Sequence, residues 1–272
     1  MEQTLALPHG LLAWDDLGPH RDALPLVLLH GFPHDRALWT EQVAAHAAAF
    51  PGTRLLIPDF PGFGQSTPLA SPSMDGYADA IAAMMDASGV PRAVIGGLSM
   101  GGYVALAFWR RHAARVKALV LMDTKAAADT EAAKAKRLGL IDAVRREGVG
   151  TIVPGLIPAQ LGVTTRTASP ELVERVTVML RRAPASGVIG AAGAMMHRID
   201  STPTLETITV PTLVLVGEED TLTPVSDALA LSSGVSNSRL VIVGGAGHLS
   251  PLEQPAVVNA AIAEFLDVAV RG

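Results

Sequence analysis

Six short stretches of this chain are apolar at nearly every position: Leu26–Leu29, Leu55–Ile57, Ala93–Ile95, Ala118–Met122, Thr212–Val216 and Leu240–Val243. A strand with one wet face alternates polar and apolar side chains. An unbroken aliphatic run is dry on both faces, which is the condition of parallel strands sandwiched between helices. Helical spacing fills the intervals, over 36–49, 74–88, 100–112, 225–233 and 255–268. Ser73 is placed to cap the second of these, and Pro224 and Pro255 suit first helical turns, where a missing N–H costs nothing. Leu5 to Trp14, with Pro8 and Gly10 between apolar residues, reads as an antiparallel hairpin at the sheet edge. Strands alternating with helices define a layered α/β fold.

The rhythm breaks after Asp123. From Ala126 to about Ile208 no buried strand is expected; helical patterns run over 130–147, 149–158, 170–182 and 185–197, punctuated by Pro154, Pro158, Pro170 and Pro184. An interval of about eighty residues is too long for a plain loop. The expected organisation is a sheet domain split in two (1–125 and 209–272) around a helical cap (126–208). Open α/β sheets place their sites at the carboxyl ends of the strands, where such a cap would lie.

Composition narrows the chemistry. Of the 272 residues 49% are hydrophobic and only 17% charged, which argues for a large core and against disorder. No apolar run is long enough to cross a bilayer. Met1 to Pro25 lacks the basic-then-apolar pattern of a signal sequence, so a cytoplasmic location is expected. The chain has no cysteine, which removes disulfides, thiol nucleophiles and thiolate metal sites. A net charge of −5 argues against a nucleic-acid partner. Lys125, Lys134, Lys136, Arg137, Arg145 and Arg146 are concentrated near the start of the cap. Acidic residues intersperse them, so they read as a solvated helical face, with attraction of anionic substrates as the alternative.

The most pointed motif is Gly97-Leu98-Ser99-Met100-Gly101, directly after an apolar strand and opening the helical stretch Tyr103–Arg111. This G-x-S-x-G pattern in a strand–turn–helix context exposes a serine hydroxyl beside the unpaired N–H groups of a helix start. Ser99 is therefore the candidate nucleophile. Among eight histidines, His248 follows the last strand in the glycine-rich run Gly244–Gly247 and is the candidate base; His20, His46, His112 and His197 lack comparable surroundings. Asp220, after the Thr212–Val216 strand, is the candidate acid that would orient the imidazole, and Asp123, after another strand, is the alternative. Backbone N–H groups of Phe32, in His30-Gly31-Phe32-Pro33-His34, and of Met100 would form an oxyanion hole. His30 is expected to shape that loop through a hydrogen bond, and Asp59 to organise the next one. Neither a dinucleotide fingerprint nor a P-loop is present, and no metal-ligating cluster is apparent.

The ordered set Ser99, Asp220, His248 resembles the triad of the α/β-hydrolase superfamily, in particular its helical-capped serine esterase and enol-lactonase-like branch. Asp59-Phe60-Pro61-Gly62-Phe63-Gly64-Gln65-Ser66 is similar to the family's D-x-P-G-x-G-x-S segment, and His30-Gly31-Phe32-Pro33 to its oxyanion loop. The resemblance spans nearly the whole chain and implies a mostly parallel eight-stranded sheet flanked by helices. It also implies a cofactor-free serine hydrolase acting on a small ester or lactone through an acyl-enzyme. The alternatives it leaves are a carbon–carbon bond hydrolase, a perhydrolase-like enzyme, or a receptor with weak turnover. Serine stands where haloalkane dehalogenases and epoxide hydrolases carry aspartate, which argues against those reactions. Leu98, Met122 and Leu249 are expected to line an apolar pocket. Met179, Met195 and Met196 are expected to pack the cap or to adapt around a substrate.

Overall fold

Alternate residues along each central strand feed two separate cores. In the computed structural model, which describes residues 1–8, 10–19 and 23–271, Val27, Leu29 and Ile95 join Tyr77, Ile81 and Phe108 on one side of a sheet. Leu26, Leu28 and Val94 join Trp39, Phe50 and Ile262 on the other. This is why the central strands read as continuous aliphatic runs: every side chain is on a buried face.

The strands are β1 (Glu2–Leu7), β2 (Gly10–Leu17), β3 (Leu24–Leu29), β4 (Thr53–Pro58), β5 (Ala93–Leu98), β6 (Val116–Met122), β7 (Thr212–Gly217) and β8 (Ser238–Val243). They form one eight-stranded sheet in the order β1-β2-β4-β3-β5-β6-β7-β8. β1 and β2 form the expected antiparallel hairpin, and β2 runs antiparallel to β4; the remaining pairs are parallel. Strand order reverses at β3, with β4 on one side and β5 on the other. A crevice opens between the carboxyl ends of strands at such a reversal. Two of the expected functional segments, Gly31–Phe32 after β3 and Ser99 after β5, leave the sheet there.

Helices 40–49 and 255–265 cover one face, and helices 74–87 and 100–112 the other. The Ser73 hydroxyl accepts from Gly76 N–H at 3.0 Å, as its capping role requires. One expectation needs correction. The run at Leu240–Val243 lies in β8, which is the sheet edge and is half exposed, with Ile242 48% accessible. A short aliphatic run cannot by itself report whether a second neighbour strand exists.

Between β6 and β7 the chain forms helices 131–147, 153–160, 163–168, 170–181, 185–196 and 202–205. Thr130 caps the first through Ala133 N–H, and Gly148, at φ 80, ends it. Helix 131–147 packs along helix 185–196. Among the described residues no helix is long and apolar enough to cross a membrane.

Candidate active site

Ser99 stands between the last residue of β5 and the first of helix 100–112, with φ 55 and ψ −113. A side-chain-bearing residue adopts that backbone only when its surroundings impose it. Here the crossing of the helix start over β3 does so. A Cβ on Gly97 would overlap the Gly101 carbonyl, and one on Gly101 would overlap the Leu29 carbonyl. The Ser99 N–H donates to the Met122 carbonyl (2.9 Å), and its own carbonyl accepts from the Thr124 hydroxyl (2.8 Å). The bend is thus tied to the end of β6 and to the turn that follows it.

His248, 3% exposed, lies with Nε2 2.7 Å from Ser99 Oγ and Nδ1 2.7 Å from Asp220 Oδ2. The carboxylate can only accept, so Nδ1–H donates to it and Nε2 is left to accept the serine proton. Asp220 is itself held by Leu222 N–H (2.8 Å), Thr223 N–H (3.1 Å) and the Thr223 hydroxyl (2.6 Å). Burial opposes a charged imidazole, but the Asp220 charge and hydrogen bond outweigh it, and His248 is raised above the ordinary histidine value of 6.5. Burial likewise opposes ionisation of Asp220, and the His248 charge and hydrogen bond outweigh it, so this carboxyl sits below the usual range.

Asp123 takes other partners. It accepts from Gly217 N–H at 2.8 Å and from the Ser250 hydroxyl at 2.6 Å, with no hydrogen bond to the imidazole. Complete burial, and then the nearby Asp220 charge, push it up to about 8. It therefore carries a proton at neutral pH for most of the time.

The backbone N–H groups of Phe32 and Met100 take no part in the loop and cap hydrogen bonds among the described residues. His30 braces the Phe32 loop as expected: its Nε2 accepts from Phe60 N–H (3.0 Å) and its Nδ1–H donates to the Gly31 carbonyl (2.9 Å). Asp59 accepts from the N–H groups of Arg36 and Gln65, both at 2.9 Å.

Three residues that the sequence did not single out complete the scaffold. Gln160 donates its amide to the Phe32 carbonyl (2.9 Å), accepts from His34 Nε2–H (3.0 Å), and offers its backbone carbonyl to His248 N–H (2.9 Å). Glu253 accepts from Gly247 N–H (2.9 Å), Leu249 N–H (3.1 Å) and Gly162 N–H (2.8 Å), fixing the loop that carries His248. Thr223 adds its hydroxyl to Asp220. The partners of Gln160 lie on distant segments, whereas Thr223 and Glu253 act mainly within their own loops, where a polar residue resembles any other turn residue.

Burial drives His34 down from 6.5 to about 4, against a smaller opposing effect of its bond to Gln160. Between those values the unfolded chain binds a proton that the folded chain refuses, so stability falls as pH drops from about 6.5 towards 4. Denaturant midpoints measured across this window should decline with acidification, and His34→Gln should flatten part of the decline. A slope identical in the two proteins would contradict the assignment.

Ser99 and His248 border a cavity of about 420 Å³, together with Phe32, Tyr103, Leu140 and Met195. The expected pocket residues Leu98, Met122 and Leu249 do not line it. All three are completely buried in the same apolar cluster as Leu28 and Leu215. Their side chains fill the layer beneath the strand ends, while the cavity lies beyond those ends and draws its walls largely from the helical segment. Met179 packs within that core and Met195 reaches the cavity. The basic residues divide. Lys134 pairs with Glu131 and Arg145 lies near Asp142 on the outer surface, whereas Lys125, Lys136 and Arg137 line the cavity.

A doubly covered, mostly parallel sheet with a serine–histidine–aspartate chain at its switch point defines a hydrolase of the α/β class. The family model for the alpha/beta hydrolase fold matches residues 25–255, and the chain belongs to that family. It is 30% identical over 268 residues to the AB hydrolase superfamily protein YisY of Bacillus subtilis (strain 168), covering 94% of this chain and 96% of that protein. It is 26% identical to 3-oxoadipate enol-lactonase 1 of Acinetobacter baylyi, covering 88% of this chain and 86% of that one. A malate-bound structure of a thermophilic esterase from Thermogutta terrifontis superposes with a TM-score of 0.92 at 36% identity, over 99% of each chain.

Proposed function

We propose that the protein hydrolyses small carboxylic esters or lactones through an acyl-enzyme on Ser99. The observation that carries this reading is the unbroken hydrogen-bond chain from Ser99 Oγ through His248 to Asp220 at the wall of the cavity. The esterase and enol-lactonase relatives support it. In the first half-reaction Ser99 Oγ bonds to the substrate carbonyl carbon as its proton passes to His248 Nε2. The carbonyl electron pair moves to oxygen, where the Phe32 and Met100 N–H groups would receive it. Collapse breaks the bond to the alkoxy or enoxy oxygen, which leaves with the proton from His248. Water then gives its proton to His248 as it attacks the acyl carbon, and the proton returns to Ser99 as the acid departs. Asp220 remains ionised throughout and stabilises the transient imidazolium. No step draws on a cofactor.

A panel of short-chain esters, simple lactones, enol-lactones and carbon–carbon cleavage substrates tests this, with product identity and turnover number recorded. Multiple turnovers on esters or lactones are expected. Folded protein inactive on all of them would overturn the reading; tight binding without repeated turnover would favour a receptor, and turnover confined to carbon–carbon bonds would favour that hydrolase class.

A further inference from the structure

We propose that the cavity selects substrates carrying a carboxylate remote from the scissile carbonyl. The inference rests on the hydrolase reading above and adds to it the charge class of the substrate. Three cations, Lys125, Lys136 and Arg137, share the cavity wall with Ser99 and His248. The one acidic residue on that wall, Asp129, is already engaged by Arg137 and by Arg198 Nη1 at 2.6 Å. Arg198 in turn lies 4.1 Å from the centre of the Tyr103 ring, another wall residue. The ion pairs of this region join Lys134 to Glu131, Arg145 to Asp142, and the two arginines to Asp129; among the described residues none engages Lys125 or Lys136.

Asp227 lies close enough to Lys125 for their charges to interact but does not line the cavity. On the cavity wall itself three cations face one carboxylate, an excess of two positive charges in a chain whose net charge is −5. A concave, partly enclosed wall concentrates that field and raises the local concentration of anions. Lysine ammonium groups on flexible stems suit a carboxylate whose position varies with acyl chain length better than a fixed guanidinium fork does. The cationic residues come from the segment 125–137, and the reacting groups from the turns after β5 and β8. One molecule is thereby held at two places, its carbonyl at Ser99 and its anion at the lysines.

Methyl hydrogen adipate and methyl hexanoate share a six-carbon acyl chain and differ in the terminal carboxylate, so their ratio of kcat/KM reads this selection. Wild type is expected to favour the anionic ester by about tenfold or more at low ionic strength, less so as salt is added. In the double variant Lys125→Met, Lys136→Met the ratio should fall to near unity. Equal rates for the two esters in wild type, or a preference that survives loss of both lysines, would overturn the inference while leaving the hydrolase reading in place. Calorimetric binding of methyl hydrogen adipate to Ser99→Ala, with and without the lysine substitutions, separates the reverse case. Lysine-dependent binding with no turnover of any ester by the Ser99 protein would sink the hydrolase reading and retain the anion site. Equal binding with and without the lysines would remove the anion site.

Discussion

Replacing Ser99 by alanine should reduce kcat for an unactivated short-chain ester by about 10⁶-fold, the scale of loss when a serine hydrolase is deprived of its nucleophile. The chain has no cysteine to substitute for it. The variant is expected to fold, because the hydroxyl makes one described hydrogen bond, to His248, and the turn is held through the backbone of residue 99. Ser99→Gly adds a second readout. Both variants lose the hydroxyl, but glycine accepts φ 55 without strain whereas alanine does not. Ser99→Gly should therefore be more stable than Ser99→Ala by about 1 kcal/mol in denaturant titration. Residual turnover in both variants at a tenth of wild type would show that the nucleophile lies elsewhere.

The second large effect distinguishes the two buried aspartates. Asp220→Asn should cost about 10⁴-fold in kcat. An amide facing His248 Nδ1 presents an N–H where a carboxylate accepted one. The imidazole then carries its proton on Nε2, facing Ser99, and can no longer take the serine proton. Asp123→Asn should stay within about tenfold of wild type, because asparagine is neutral like a protonated carboxyl, keeps an oxygen for Gly217 N–H, and offers an amide N–H to Ser250 Oγ once that hydroxyl turns from donor to acceptor. The pH profile of kcat/KM adds a check. In wild type its acidic limb should lie above 6.5, because the Asp220 charge holds His248 up. In the residual activity of Asp220→Asn that limb should move to lower pH. Abolished turnover in Asp123→Asn with Asp220→Asn nearly intact would reverse the assignment.

Particular residues show what the sequence could and could not carry. The strand runs and the Gly97–Gly101 motif were readable because their causes are local: a doubly buried strand must be apolar, and a serine on that bend must have glycines around it. Asp220 and His248 were readable from their places after strands, which in a parallel sheet all end on the same side. Gln160 was not, because its partners are remote in sequence, and Glu253 and Thr223 were not, because a polar residue within a loop does not announce which neighbour it will hold. Leu98, Met122 and Leu249 misled for a related reason. Adjacency in sequence to a candidate site residue says nothing about which way a side chain turns at a strand end, and these three turn into the core. Lys125 and Lys136 look like any solvated lysines until the turn after β6 and helix 131–147 bring them to one cavity.

The three contacts of Gln160 have a consequence for molecular size. The segment above the cavity is fastened to the loops bearing Phe32 and His248 by the same residue, so it cannot swing away and leave those loops undisturbed. A bulky ester that wedges this segment outward strains the Phe32 carbonyl, His34 and the His248 backbone together. Such a molecule would still bind through its apolar part but would meet misaligned reacting groups. Discrimination against large acyl chains should therefore appear as slow chemistry on a bound substrate, in kcat, with KM changing far less.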